Sequence, residues 1–118
     1  MNFEYTQARD IPEAVRMLKK YGEESRLLAG GTELLVNIRH QAIRPKILID
    51  IKSIPSLSYI KYNEDGVLRI GALTPLSNIE RSSEIKNRHP LISECVRLIA
   101  TMQIKNVGTI GGNLSQTV

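Results

Sequence analysis

Cysteine is almost missing from this chain of 118 residues, where Cys95 stands alone. A lone thiol excludes an internal disulfide, and it cannot hold an iron–sulfur cluster, which takes about four ligands. His40 and His89 are the only histidines. With Cys95 they show no metal-ligand spacing, so no metal site is expected. Tryptophan is absent and Phe3 is the only phenylalanine. A base-stacking platform is therefore not expected. No run approaches the roughly 20 apolar residues of a membrane span. The opening "MNFEYTQARD" has no apolar signal-peptide core, which makes the cytoplasm the expected location.

What is present fits one modest globular domain. The net charge is +4, with the densest basic stretch from Arg39 to Lys46. That stretch reads as a solvated connector rather than a nucleic-acid patch, and the mild positive balance suits an anionic ligand.

Residues 1–54 alternate strand and helix. "NFEYTQA" predicts a short strand. Asp10, Pro12 and Glu13 then open a helix with a capping-box-like start. Ile11, Ala14, Val15 and Leu18 mark its apolar face, and Gly22 ends it. "SRLLAGG" predicts a strand that stops at a glycine pair, "TELLVNIRHQ" a helix from about Thr32, and "KILIDI" a buried strand. This βαβαβ order predicts a small, mostly parallel sheet.

The pattern changes over residues 55–118. "LSYIKYN" and "VLRIGAL" flank "EDG" and predict an antiparallel hairpin. Thr74 and Pro75 are expected as cap and first residue of a helix. Pro90 opens another, with Leu91, Ile92, Cys95, Leu98, Ile99 and Met102 as its core stripe. Cys95 is accordingly expected to be buried and inert. "NVGTIGGNL" is expected as a strand or extended loop. The fold class is α+β.

Two glycine pairs set this sequence apart. In "LLAGGTELL" a strand ends near Ala29 and a helix begins near Thr32. Free N–H groups at the helix start, together with glycines lacking Cβ atoms, make a phosphate cradle. The alternative is a tight turn with Thr32 as cap. Neither a Gly-Lys-Ser/Thr ending nor G-x-G-x-x-G is present, so nucleoside-triphosphate and Rossmann cradles are excluded. Glu33 disfavours a bare triphosphate but can accept hydrogen bonds from sugar or ribityl hydroxyls. In "VGTIGGNL" the N–H groups are expected to form an anion-binding nest. Two such loops can grip a pyrophosphate.

"LLAGGTELL", "RIGALTPLSNIE" and "QIKNVGTIGGNL", in this order and spacing, closely resemble the FAD-binding subunit or domain of the molybdenum hydroxylases. The resemblance covers essentially the whole chain. It implies a flavin fold of the vanillyl-alcohol-oxidase type, with FAD between a parallel and an antiparallel sub-domain. Carried over by motif, Leu27, Leu28, Ala29, Gly30, Gly31, Thr32, Glu33 and Leu34 would line FAD. Thr109, Ile110, Gly111, Gly112 and Asn113 would form the second loop. Ile99 stands where a family side chain reaches the cofactor, with a core position as the alternative, and Thr74 reads as a helix cap.

No residue is assigned acid–base or nucleophilic work. The resemblance implies electron flow from iron–sulfur clusters on one partner subunit, reduced by a molybdenum centre on another, through FAD to NAD or a different acceptor. Family members continue well past "TIGGN", whereas this sequence stops five residues after Asn113. The resemblance thus implies an incomplete antiparallel sub-domain whose hairpin exposes Leu57, Ile60, Leu68 and Ile70. A non-catalytic fragment that self-associates with little FAD binding is the second reading, and a basic nucleic-acid module the third.

Overall fold

The computed structural model describes residues 2–116. It divides into two units, Met1–Pro55 and Ser56–Val118.

In the first unit, strand β1 (Glu4–Gln7) leads to helix α1 (Ile11–Tyr21). The Asp10 carboxylate caps α1 by accepting from the Glu13 N–H at 2.8 Å. At the other end Gly22 adopts φ 53° and donates to Leu18 O. Strand β2 (Ser25–Leu28), helix α2 (Leu34–Arg39) and strand β3 (Ile47–Asp50) follow. The sheet order is β1-β3-β2, with both pairings parallel. Every residue of the central strand β3 is buried, which explains its unbroken apolar run.

Two expectations change here. Ile11 and Val15 are exposed, while Ala14 is buried and Met17 and Leu18 are half-buried. The inward face of α1 is thus rotated from the predicted one. Helix α2 also begins two residues later than Thr32. Thr32 lies in a turn, and Glu33 occupies the cap position without a side-chain capping bond.

In the second unit, strands β4 (Ile60–Tyr62) and β5 (Leu68–Ile70) form the expected antiparallel pair. Five short helices follow: α3 (Leu76–Arg81), α4 (Ser83–Arg88), α5 (Pro90–Ile99), α6 (Met102–Val107) and α7 (Ile110–Leu114). Ser82, Thr101 and Thr109 cap α4, α6 and α7 through their hydroxyls. Leu76, Ile79, Ile85 and Val96 make the core. Ile60, Leu68 and Ile70 pack against it rather than standing exposed.

The core stripe expected on α5 is not the one observed. Leu91 and Leu98 are 76% and 72% exposed, and Cys95 is exposed. Val96 is buried instead, and of the expected stripe Ile92 is the member that packs against the core. The helix carries apolar residues along both the 91–95–98 line and the 92–96 line, so periodicity alone could not choose between them. Ile99 is exposed, not a core residue. Segment 106–114 is not one strand or extended loop: Val107 ends α6, only Gly108 and Thr109 are extended, and Ile110 opens α7. Among the described residues, no helix is long and apolar enough to cross a membrane.

Candidate functional site

The first glycine loop starts where β2 leaves the sheet. Leu28, the last residue of β2, is buried and its carbonyl accepts from the Ile51 N–H at 3.1 Å. Leu28 is in register with Asp50 on β3. The Asp50 carboxylate is buried and accepts from the Tyr5 hydroxyl, and from the Lys52 N–H at 2.8 Å. The Lys52 ammonium lies 3.5 Å away. Burial pushes the Asp50 carboxyl up, but these donors outweigh it and hold the group below the usual aspartate value. In return the carboxylate raises the pKa of the Tyr5 hydroxyl. Level with the last residue of β2 there is therefore an ionised, satisfied carboxylate that ties β3 to β1.

Three residues after Leu28, Gly31 adopts φ 76°, a left-handed conformation that favours glycine. A Cβ at Gly31 would stand 3.0 Å from Leu35 Cδ1 and 3.2 Å from Leu28 Cδ1. The chain then enters α2 with the Leu35 N–H donating to Gly31 O at 3.2 Å and the Asn37 N–H donating to Glu33 O at 2.8 Å. Asn37 Nδ2 donates to Glu33 Oε1 at 3.4 Å. Among the described residues, no group accepts from the backbone N–H groups of residues 29 to 34. Leu27 is exposed, while Ala29, Gly30, Gly31, Thr32, Glu33 and Leu34 are all half-buried. A partly sheltered row of unpaired donors has the chemistry of an anion cradle.

The second glycine loop is built differently. Thr109 pairs with Pro75 in an antiparallel bridge, and the Leu76 N–H donates to Gly108 O at 2.9 Å. Ile110 N–H donates to Thr74 O at 3.1 Å, and Gly111 N–H to Ala72 O at 2.7 Å. Gly112 N–H donates to Thr109 Oγ1 at 3.1 Å, and Asn113 N–H to Thr109 O at 2.9 Å. The N–H groups expected to form a nest are therefore committed inside the protein, because Thr109 caps α7 and the loop lies along residues 72–76. Its glycines answer to space. A Cβ at Gly111 would fall 2.7 Å from Ala72 O, and one at Gly112 would fall 2.9 Å from Thr109 Oγ1. Thr109 is buried, Ile110, Gly111 and Asn113 are half-buried, and Gly112 is exposed.

Thr74 is not a helix cap. It is buried, and its hydroxyl accepts from the Tyr59 N–H and donates to Tyr59 O, both at 3.0 Å. The cap position of α3 belongs to Pro75, which makes no side-chain bond. Sequence reasoning also missed Ala72, whose carbonyl and methyl dictate Gly111, and the buried Lys105. Neither has a periodic signal, because each is defined by what the fold brings opposite it.

The same sequence matches a family model described as the FAD binding domain in molybdopterin dehydrogenase, over residues 1–118. The carbon monoxide dehydrogenase medium chain of Hydrogenophaga pseudoflava is 39% identical over 113 residues, which are 96% of this chain and 39% of that protein. The xanthine dehydrogenase FAD-binding subunit of Escherichia coli O157:H7 is 34% identical over 110 residues, 93% of this chain and 37% of that protein. Among solved structures, the carbon monoxide dehydrogenase from Hydrogenophaga pseudoflava lacking the Mo-pyranopterin moiety of its molybdenum cofactor aligns with a TM-score of 0.92 at 38% identity. That alignment covers 97% of this chain and 39% of the other. The chain spans about two-fifths of the length of the curated relatives it matches. With the family model covering its whole length, the chain belongs to the FAD-binding domain family of the molybdopterin dehydrogenases, and FAD is its cofactor.

Proposed function

We propose that this chain is the N-terminal part of an electron-transfer component of a molybdenum-containing hydroxylase or dehydrogenase. Bound FAD supplies the redox chemistry, and the protein supplies binding and orientation. The observation that carries the reading is the row of unpaired N–H donors at residues 29 to 34, around a glycine in left-handed conformation. The residues fit the cofactor: these donors suit the pyrophosphate, and Glu33 is the acceptor for ribose or ribityl hydroxyls. Leu27, Leu28 and Leu34 supply apolar surface. In the second loop, Thr109, Ile110, Gly111, Gly112 and Asn113 would contact FAD through side chains and Cα hydrogens, since their N–H groups are engaged within the protein.

The residues of the two loops would hold FAD where it could relay electrons between an iron–sulfur subunit, served by a molybdenum-cofactor subunit, and NAD or another acceptor in the cytoplasm. The fold is of the vanillyl-alcohol-oxidase type. Comparing FAD, FMN and riboflavin by fluorescence titration tests the assignment. A pyrophosphate cradle requires FAD to bind at least roughly tenfold more tightly than riboflavin. Equal affinities would exclude the first loop as the cradle.

A second reading, self-association with little FAD binding, draws support from the exposed Leu91, Leu98 and Leu114. Light scattering across a concentration series separates the two.

A further inference from the structure

We infer that Lys105 is a positioning residue for the second glycine loop, acting through an ion pair with Glu80. The inference rests on the reading of that loop as part of the FAD site.

Lys105 is 4% exposed, the only lysine among the buried described residues. Its ammonium lies 2.7 Å from Glu80 Oε2 on α3 and donates to Arg97 O, in the last turn of α5, at 3.3 Å. Glu80 Oε2 is itself buried and accepts no well-aligned hydrogen bond, so the close approach of the Lys105 ammonium is an ion pair held by charge rather than by bond direction. A buried ammonium and carboxylate are costly to desolvate, and a well-packed apolar pair can hold two helices as firmly. What the ionic pair adds is a penalty for separation: moving Lys105 off Glu80 would leave both charges without a partner.

Its placement gives that penalty a use. Helices α3 and α6 are already joined by backbone where α6 ends and α3 begins, through the bond from Leu76 N–H to Gly108 O and the bridge from Pro75 to Thr109. Glu80 lies about one turn into α3, and Lys105 about one turn before Gly108. A single clamp at the shared end would leave α6 free to pivot. A second clamp one turn away fixes its tilt and rotation. Gly108 to Asn113 leave directly from α6, so their placement inherits that orientation. The bond to Arg97 O adds α5 as a third anchor and satisfies a carbonyl near a helix end.

The single substitution Lys105→Met strands a half-buried carboxylate and mixes folding with positioning. The double variant Lys105→Met with Glu80→Met removes both charges while keeping apolar volume, and Lys105→Arg keeps the charge. Each protein is measured for urea unfolding, FAD affinity by fluorescence quenching, and visible circular dichroism of the bound flavin. Positioning predicts that the double variant unfolds at or above the wild-type urea midpoint yet binds FAD roughly tenfold more weakly or worse, with an altered dichroism band. Lys105→Arg should recover most of the affinity. A double variant with wild-type affinity and dichroism, or affinities that simply track unfolding midpoints across the set, overturns the assignment alone. Wild-type protein that binds no FAD overturns the functional reading and this assignment together.

Discussion

Ala72 and Gly111 meet so closely that a single added carbon cannot fit between them. A Cβ on Gly111 would stand 2.7 Å from Ala72 O and 2.9 Å from Ala72 Cβ, while the Gly111 N–H holds the same carbonyl. Backbone cannot swing away as a flexible side chain can. Gly111→Ala is therefore expected to cost about 1–3 kcal/mol through overpacking. Urea denaturation measures it, and an unchanged midpoint would show that the loop has slack. Ala72→Gly should relieve part of the clash, so a double-mutant cycle should show coupling between the two sites.

At Gly31 the constraint is conformational as well as steric. Placing an L-residue at φ 76° costs about 1–2 kcal/mol, and the new Cβ also presses on the ends of Leu35 and Leu28. Gly31→Ala should lower stability by that order. Because the loop's N–H groups must hold their directions, the same variant should weaken FAD more than riboflavin. A loss shared equally by both ligands would mean that the pyrophosphate is not held here.

Asp50 makes the fold sensitive to acid. Its carboxyl is held below the ordinary value, so the charged form is favoured on folding. The sign follows by linkage: this contribution is fully present above the unfolded aspartate pKa of about 3.9 and is lost as pH falls through the lower folded value. Tyr5→Phe removes one donor to the carboxylate, which should bring the folded value closer to the unfolded one. The variant should lose stability at neutral pH and show a shallower fall below about pH 4. Parallel urea midpoints for the two proteins at every pH would rule out the Tyr5 contribution.

Cys95 should be freely reactive. It sits on the outward line of α5 with Leu91 and Leu98. A thiol reagent should label it in the native protein without denaturant, and Cys95→Ala should change stability by less than about 0.5 kcal/mol. Labelling only on unfolding would restore the buried position that the helical spacing suggested.

The elements came from local signals that act over a few residues. Asp10 with Glu13 starts a helix because the cap is made three residues away, and Gly22 ends it because few other residues take its φ. The unbroken "ILID" marks a strand covered on both faces. The hairpin around "EDG" was legible for the same reason, and so was the strand that stops before the first glycine pair, but not the start of the helix after it. Which face of α5 turns inward was not, because two apolar lines compete and only the contacts of α3 and α4 with α5 decide between them. The two glycine pairs look alike in sequence and differ in the fold. Gly30 and Gly31 sit among N–H groups left unpaired as a strand turns into a helix, whereas Gly111 and Gly112 are required by Ala72 and Thr109. Thr74 and Lys105 likewise have their roles set by Tyr59 and Glu80, partners 15 and 25 residues away in the chain. A capping residue carries its partner within reach of its own sequence. A buried hydroxyl or ammonium acquires one only when distant helices and strands close around it.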